Sequence, residues 1–378
     1  MQKESKILHI FDDEIICRST IELYKKLDQL DQKFIIISNS PEKWSHYFPN
    51  DSSVSIIPIS ENTHVRITEE IEHFEIIILQ AFSVTKAKSI LKKKFIDKIF
   101  IWALWGYGLY NIVNYFKPSD SELSTTLTKK NLKQRLQDFY TYRIVYRRAL
   151  KKINLCVFLL EHDFNLLSQA VKHDAIWMTA CYQTEENLFG QMGKFDVVGN
   201  DILIGNSSTP SNRHQFVFDK LASAELGDSR LITPLGYGDQ TYKQRIIDSG
   251  RATFGKQFSP IVDFMELDAY QAMLSSCGHV IMAHERQQAF GTLLMMLLAG
   301  SKIYLSEKSP FFNWFTNMGV TLYSIEKDLI TEIKQPIDKQ LRIRNKLLIQ
   351  EYLGMPKRLA AITTFLSRAQ EFQLNKAG

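Results

Sequence analysis

Cysteine is scarce: Cys17, Cys156, Cys181 and Cys277 are the only four in 378 residues, far apart and each within an apolar stretch. With no C-x-x-C and no nearby histidine pair, they read as buried reduced thiols in a reducing compartment. Long hydrophobic runs are missing too. The densest, 99–110 and 293–299, fall short of the ~20 residues that cross a bilayer. The opening MQKESKILHIFDDE has a few apolar residues and then acids, which suits a first β-strand rather than a secretory signal. No G-x-G-x-x-G follows that strand, which argues against a nicotinamide enzyme. A Walker lysine and a G-x-S-x-G elbow are equally absent. There is no D-x-D between apolar strands and no His/Cys cluster at ligand spacing, so neither a metal nor a cofactor is expected.

What is present is a globular composition, 45% hydrophobic and 23% charged, in a chain too long for one ordinary core. Short β-branched runs alternate with stretches long enough for helices. They fall at 6–10, 34–38, 54–59, 74–79, 98–104 and 155–160, then at 201–205, 230–235, 261–265, 279–283, 302–305 and 320–323. Strand–helix alternation predicts parallel sheets covered on both faces, and two such series predict an α/β chain of two Rossmann-like domains facing a cleft. The expected division is 1–182, a polar glycine-containing linker at 183–200, a second domain at 201–336, and terminal helices at 337–378 that cross back to the first domain.

In such sheets ligands sit beyond the carboxyl ends of strands, where free N–H groups and helix N-termini favour anions. Gly205, Asn206 and Ser207 follow one strand, with Asn212 and His214 at the next helix start; together they offer donors for phosphate or ribose oxygens. A plain strand–turn–helix capped by Ser211 or Asn212 is the competing reading. The segment HERQQAFGT places Arg286, Gln287 and Gln288 before Gly291 and Thr292, which open an apolar helix. Burial accounts for the helix itself and leaves the four polar residues before it, Glu285 to Gln288, unexplained, so this loop is expected to hold a diphosphate and sugar. Tyr237 is placed to stack on a nucleobase or to pack in a turn, and Glu266 to meet ribose hydroxyls.

In the first domain, His9, Asp12 and Asp13 attend the end of the first strand and are candidates for a general base; capping of the next helix is the alternative for the aspartates. Trp105, Tyr107 and Tyr110 follow the fifth strand as acceptor-side candidates. The window 129–152 holds nine bases and one acid, Asp138, so a chain of formal charge +5 is net acidic elsewhere. Leu132, Leu136, Phe139, Tyr142, Tyr146, Leu150 and Ile153 recur there at steps of three or four, predicting one apolar helix face. Arg143, Arg147, Arg148 and Lys151 lie beside it. Such a helix can rest on an anionic membrane surface, or be a core helix with a solvated basic back. No nucleic-acid module accompanies the patch.

Taken in order, several segments resemble glycosyltransferase family 56, the 4-acetamido-4,6-dideoxygalactose (Fuc4NAc) transferases. They are Trp105-Gly106 with Leu109-Tyr110, Tyr146-Arg147-Arg148 before Cys156-Val157-Phe158, and Gly205-Asn206-Ser207 with Ser211-Asn212 and His214. Gly236-Tyr237, Asp268-Ala269-Tyr270 and Arg286-Gln287-Gln288 with Gly291-Thr292 complete the set. The resemblance implies a GT-B type fold and transfer of a hexose from a dTDP-sugar to a polyprenyl-diphosphate-linked saccharide. It also implies a protein peripheral to the inner face of the bacterial cytoplasmic membrane, working in surface polysaccharide synthesis. One departure is Gly108, where the family pattern has an acidic residue, so no catalytic acid is carried to that position. A same-fold transferase with another nucleotide sugar and a soluble acceptor, or a non-catalytic sugar-nucleotide-binding subunit, are the alternatives.

Overall fold

The computed structural model describes residues 5–14, 16–105, 108–118, 131–263 and 265–377. Its contacts divide them into two compact units. Of these, one contains the described residues of 5–118, 131–182 and 355–377, and the other those of 183–354.

The first unit is built on a seven-stranded sheet of β1 (Ile7–Asp12), β2 (Gln32–Ile37), β3 (Val54–Ile57), β4 (Ile76–Gln80), β5 (Ile99–Ala103), β6 (Ile153–Val157) and β7 (Ile176–Met178). The order is β3-β2-β1-β4-β5-β6-β7 with every pairing parallel. β4 and β5 are buried at every position, because helices cover both faces of the sheet. Alternate residues feed two cores: Ile77, Leu79, Phe100 and Trp102 on one face, Ile76, Ile78, Ile99 and Ile101 on the other. The second face is closed by the final helix, Met355–Ala377, through Ile362, Phe365, Leu366 and Ala369. β7 has no counterpart among the sequence-predicted strands. It is a half-buried edge strand of three residues, too short for a period to register.

The second sheet runs β10-β9-β8-β11-β12-β13, again parallel. Its strands are β8 (Ile202–Ile204), β9 (Leu231–Pro234), β10 (Phe258–Ile261), β11 (His279–Met282), β12 (Lys302–Leu305) and β13 (Tyr323–Ser324). The run expected at 261–265 is therefore displaced. β10 contains Pro260, which reads as a strand breaker but is tolerated because β10 is an edge. Residues 183–200 are part of this unit. They carry the helix Glu185–Phe189, and Val197 and Val198 donate to the carbonyls of Ala299 and Ser275. The helix Lys339–Tyr352 also stays here, against the helix Phe290–Ala299, so of the residues beyond 337 only the last helix belongs to the first unit.

The basic window forms a continuous helix with a change of winding. Leu132–Asp138 is α-helical, Phe139–Tyr146 is π-helical and Arg147–Leu150 is α-helical again. The wider π turn shifts the side-chain period, so the single apolar face expected from 132 to 153 is divided. Val145, Tyr146, Ala149 and Leu150 enter the core, whereas Leu132, Leu136, Phe139 and Tyr140 are 73%, 62%, 53% and 48% exposed.

Candidate functional site

Both sheets reverse their strand order beside their first strand, between β1 and β4 in one and between β8 and β11 in the other. These are the switch points at which doubly wound sheets hold ligands.

At the second switch point the chain leaves β8 through Gly205, whose N–H bonds to the carbonyl of Ile281 on β11 at 3.0 Å. Gly205 has φ +67°, and a Cβ there would lie 2.5 Å from His214 Nε2 and 3.0 Å from Asn212 Oδ1. Glycine is required both by conformation and by space. The Asn206 N–H donates to Asn212 Oδ1 at 3.1 Å, while Asn212 Nδ2 donates to the Ser207 carbonyl at 2.9 Å. His214 Nδ1 meets the Tyr242 hydroxyl at 3.1 Å. Asn212 and His214 are fully buried, and burial pushes the His214 imidazole down to about 3. These two side chains, expected to touch a ligand, instead underpin the loop that does the presenting.

Asn206 joins the neighbouring loops. Its Nδ2 donates to the Tyr237 hydroxyl at 3.2 Å and its Oδ1 accepts from Gln288 Nε2 at 2.9 Å. Gln288 Oε1 in turn accepts from Ser211 Oγ at 2.7 Å and Arg286 Nε at 2.9 Å. The ends of β8, β9 and β11 are thereby tied into one cradle. The floor of the cradle is the start of the helix Phe290–Ala299, entered through Ala289 at φ +56°. Its first intrahelical donor is Leu293, so the N–H groups of Gly291 and Thr292 are aimed beyond the helix with its positive dipole end. A Cβ on Gly291 would meet only Leu188, at 3.7 Å. Tyr237, at 63% exposure, presents its ring to solvent at the rim. Glu266 stands apart, on the exposed N-cap of the helix Leu267–Ser276 after the edge strand, and no hydrogen bond among the described residues connects it to the cradle.

His284, one residue beyond the strand-end Ala283, escaped the sequence reading. Its ring is fully buried, and burial, then the Arg286 charge, push it down to about 4 against backbone hydrogen bonds at His284 and Arg286 that favour the charged form. Nothing in HERQQ separates a buried histidine from the half-exposed residues that follow it.

At the first switch point the three base candidates part company. His9 lies inside β1, fully buried, with its ring 4.2 Å from Tyr24 and 4.7 Å from Phe34 and its Nε2 3.0 Å from Gln32 Oε1. Burial pushes it down to about 3. A ring so enclosed reaches no acceptor hydroxyl, which corrects the expectation for His9. Asp13 binds Ser38 Oγ through one oxygen and Lys43 Nζ at 2.6 Å through the other. Burial alone would raise its carboxyl, but these two donors outweigh that and hold it below the usual value. One oxygen ties the end of β1 to the end of β2 and the other to the helix Pro41–Tyr47. Asp12 ends β1 with 21% of its side chain exposed, and its Oδ2 lies 2.9 Å from Lys86 Nζ.

Trp105 donates from Nε1 to Gln80 Oε1 at 3.0 Å, at the end of β4. Tyr110, expected on the acceptor side, is in the core with its hydroxyl 2.7 Å from Asp163 Oδ1, because the helix Leu109–Phe116 packs that face inward. Tyr107 lies outside the described residues. Arg143, Arg147, Arg148 and Lys151 are all exposed.

Among the described residues no helix is long and apolar enough to cross a membrane, and no three metal-ligating side chains gather. Solved structures share the architecture. HepE of Anabaena in complex with UDP-glucose superposes with a TM-score of 0.66 at 11% identity, over 95% of this chain and 99% of that one. A glycosyltransferase from Rickettsia africae gives 0.60 at 12%, over 98% and 99%. At these identities the likeness establishes the fold: α/β with two Rossmann-like sheets, of the GT-B type. The model of the 4-alpha-L-fucosyltransferases, glycosyl transferase group 56, matches residues 2–353, and the chain belongs to that family of sugar-transferring enzymes.

Proposed function

We propose that the protein transfers a 4-acetamido-4,6-dideoxyhexose from its dTDP derivative to a polyprenyl-diphosphate-linked saccharide at an anionic membrane surface. The cradle at the end of β8 and β11 carries this reading. It combines a glycine that admits close approach, first-turn N–H groups and the Arg286 guanidinium around one switch point, the set a diphosphate needs. Tyr237 stacks on the base, and Asn206 and Gln288 address the sugar or diphosphate oxygens. Gln287 remains in the proposed donor set beside them, whereas Ser207 is buried with its hydroxyl engaged by Asn212 and Thr209 and, like Asn212, supports the loop.

In the reaction, the acceptor oxygen forms the new bond to the anomeric carbon and the bond from that carbon to the diphosphate breaks. The electron pair leaves with the nucleotide diphosphate, where Arg286 and the helix N-terminus receive its charge. Asp12, the one partly exposed carboxylate of the three candidates with an oxygen to spare, takes the acceptor proton. Because those groups supply the stabilisation, turnover is expected to persist in EDTA.

The membrane surface is assigned to the helix Leu132–Asp138 and the π-helical turn after it. Exposed Leu132, Leu136, Phe139 and Tyr140 beside Arg143, Arg147, Arg148 and Lys151 combine apolar insertion with attraction to anionic lipid.

A thermal-shift series with dTDP, UDP and their sugars tests the donor, since a ligand at a hundred times its Kd adds about 2.7 kcal/mol. Stabilisation by uridine nucleotides alone refutes the dTDP assignment. Sedimentation with phosphatidylglycerol vesicles tests the surface. Reversing Arg143, Arg147 and Arg148 should release the protein, and unchanged binding refutes it.

A further inference from the structure

Lys86 is among the largest fully buried side chains of the protein, and nothing in the sequence distinguishes it from half-exposed Lys88 two residues on. It sits on the helix Val84–Ser89, just beyond β4, and its ammonium turns back into the first switch point. There it donates to the carbonyl of Gln80, the last residue of β4, and pairs with Asp12, the last residue of β1. The surroundings are tied as well. Gln80 accepts from Trp105 and its amide reaches the Tyr24 hydroxyl at 3.4 Å, while the Cys17 thiol donates to the Asp12 carbonyl at 2.8 Å. Asp12 is thus gripped at its backbone by Cys17 and at one carboxylate oxygen by Lys86, and still reaches solvent.

Removing an ammonium from water costs several kcal/mol even after relaxation, and well-packed apolar residues commonly replace buried ion pairs with no loss of stability. Packing alone therefore gives no reason for a lysine here. Burial pulls the Lys86 ammonium below its ordinary value, and the Asp12 charge opposes that pull.

We propose that Lys86 is a positioning residue, whose sealed ammonium fixes the Asp12 carboxylate in the orientation from which it accepts the proton of the incoming hydroxyl. The proposal rests on the reading of Asp12 as the base. Lys86 touches no substrate; it acts through Asp12 alone.

The test compares Lys86→Met, Asp12→Asn and the double variant for transfer from dTDP-Fuc4NAc to the polyprenyl-diphosphate-linked saccharide, with a crystal structure of Lys86→Met. Lys86→Met should lower kcat tenfold or more and leave the donor KM within twofold. In the Asp12→Asn background the same change should cost less than a further twofold. In the crystal the Asp12 carboxylate should leave its position. If Lys86→Met does not fold, the double variant, which buries no unpaired charge, still decides: a further tenfold loss relative to Asp12→Asn overturns the proposal. An unmoved Asp12 carboxylate, or full kcat in Lys86→Met while Asp12→Asn is impaired, overturns the positioning role alone. Full turnover in Asp12→Asn overturns the base reading and the positioning role with it.

Discussion

The two switch points have the same topology and opposite chemistry. Beyond β8 and β11 the chain offers a glycine, small polar side chains and a helix N-terminus, linked through Asn206 and Gln288 in neutral hydrogen bonds around one arginine. Beyond β1 and β4 it offers an ion pair, with Lys86 sealed and Asp12 left at the surface. A donor-rich cradle carrying an arginine and a helix N-terminus suits an anion. A carboxylate held by a buried cation offers acceptor capacity, which suits proton removal and repels phosphate. The strand order specifies where a site forms, and the residues that close each strand specify what it takes.

Substituting Asp12 by Asn should break the contrast most sharply. Turnover should fall by about 10²–10⁴, the usual contribution of a positioned base, while donor affinity measured calorimetrically stays within twofold. A parallel loss of affinity would place Asp12 in donor binding and dissolve the distinction.

Acid should separate the units next. His214, His279 and His284 are buried in the second, with folded values pushed down to about 3, 4 and 4, against His9 at about 3 in the first, where the less enclosed His162 and His173 are also lowered by burial. Burial is the leading cause in each, so the folded state binds fewer protons than the unfolded chain below the ordinary histidine value of 6.5. Stability is therefore full above that value and falls as pH drops toward 4, by about 2 kcal/mol per histidine at pH 5. Urea melts at pH 7 and pH 5, resolved by hydrogen-exchange mass spectrometry, should show the second unit losing more. Equal losses would contradict the assigned burial.

Arg286→Ala should weaken nucleotide-sugar binding by roughly tenfold, as loss of a charge-assisted contact does, and should leave vesicle binding unchanged. Titration calorimetry of the folded variant gives the answer, and wild-type affinity would remove Arg286 from the cradle. The smallest effect is expected at Gly108, where φ is +88° but a Cβ would meet nothing within 4 Å. Gly108→Ala should cost about 1–3 kcal/mol in a denaturant melt, from the strained positive-φ backbone alone. The crowded Gly205 should tolerate alanine far less.

Both sheets were legible in the sequence because central parallel strands must be apolar on both faces, as 76–79 and 280–282 are. The edges were less so. Pro260 masked β10, and Ile176–Met178 is too brief to show a period. Within the site, the loops at Gly205 and Arg286 were legible because polar residues interrupt apolar patterns there. Depth was not. His9, Tyr110 and Lys86 belong to types that occur at surfaces as readily as in interiors, and only the fold reveals that Tyr110 meets Asp163 or that Lys86 lies beneath Asp12. The conformation of Gly108 also gives its departure from the family pattern a physical basis, since a side chain there would be strained.

The π-helical stretch Phe139–Tyr146 behaves as a phase shifter. Each residue of an α-helix advances the side-chain direction by about 100°, so lengthening or shortening the chain by one residue resets everything on one side of the change. Deleting Thr141 would let the ladder relax toward α winding and turn Leu132 and Leu136 relative to the anchored Tyr146 and Leu150. The charge and composition of the helix would be nearly untouched, while the direction in which its exposed leucines point would change. A frame of one amino acid, rather than any particular side chain, thus sets which way this end of the helix looks.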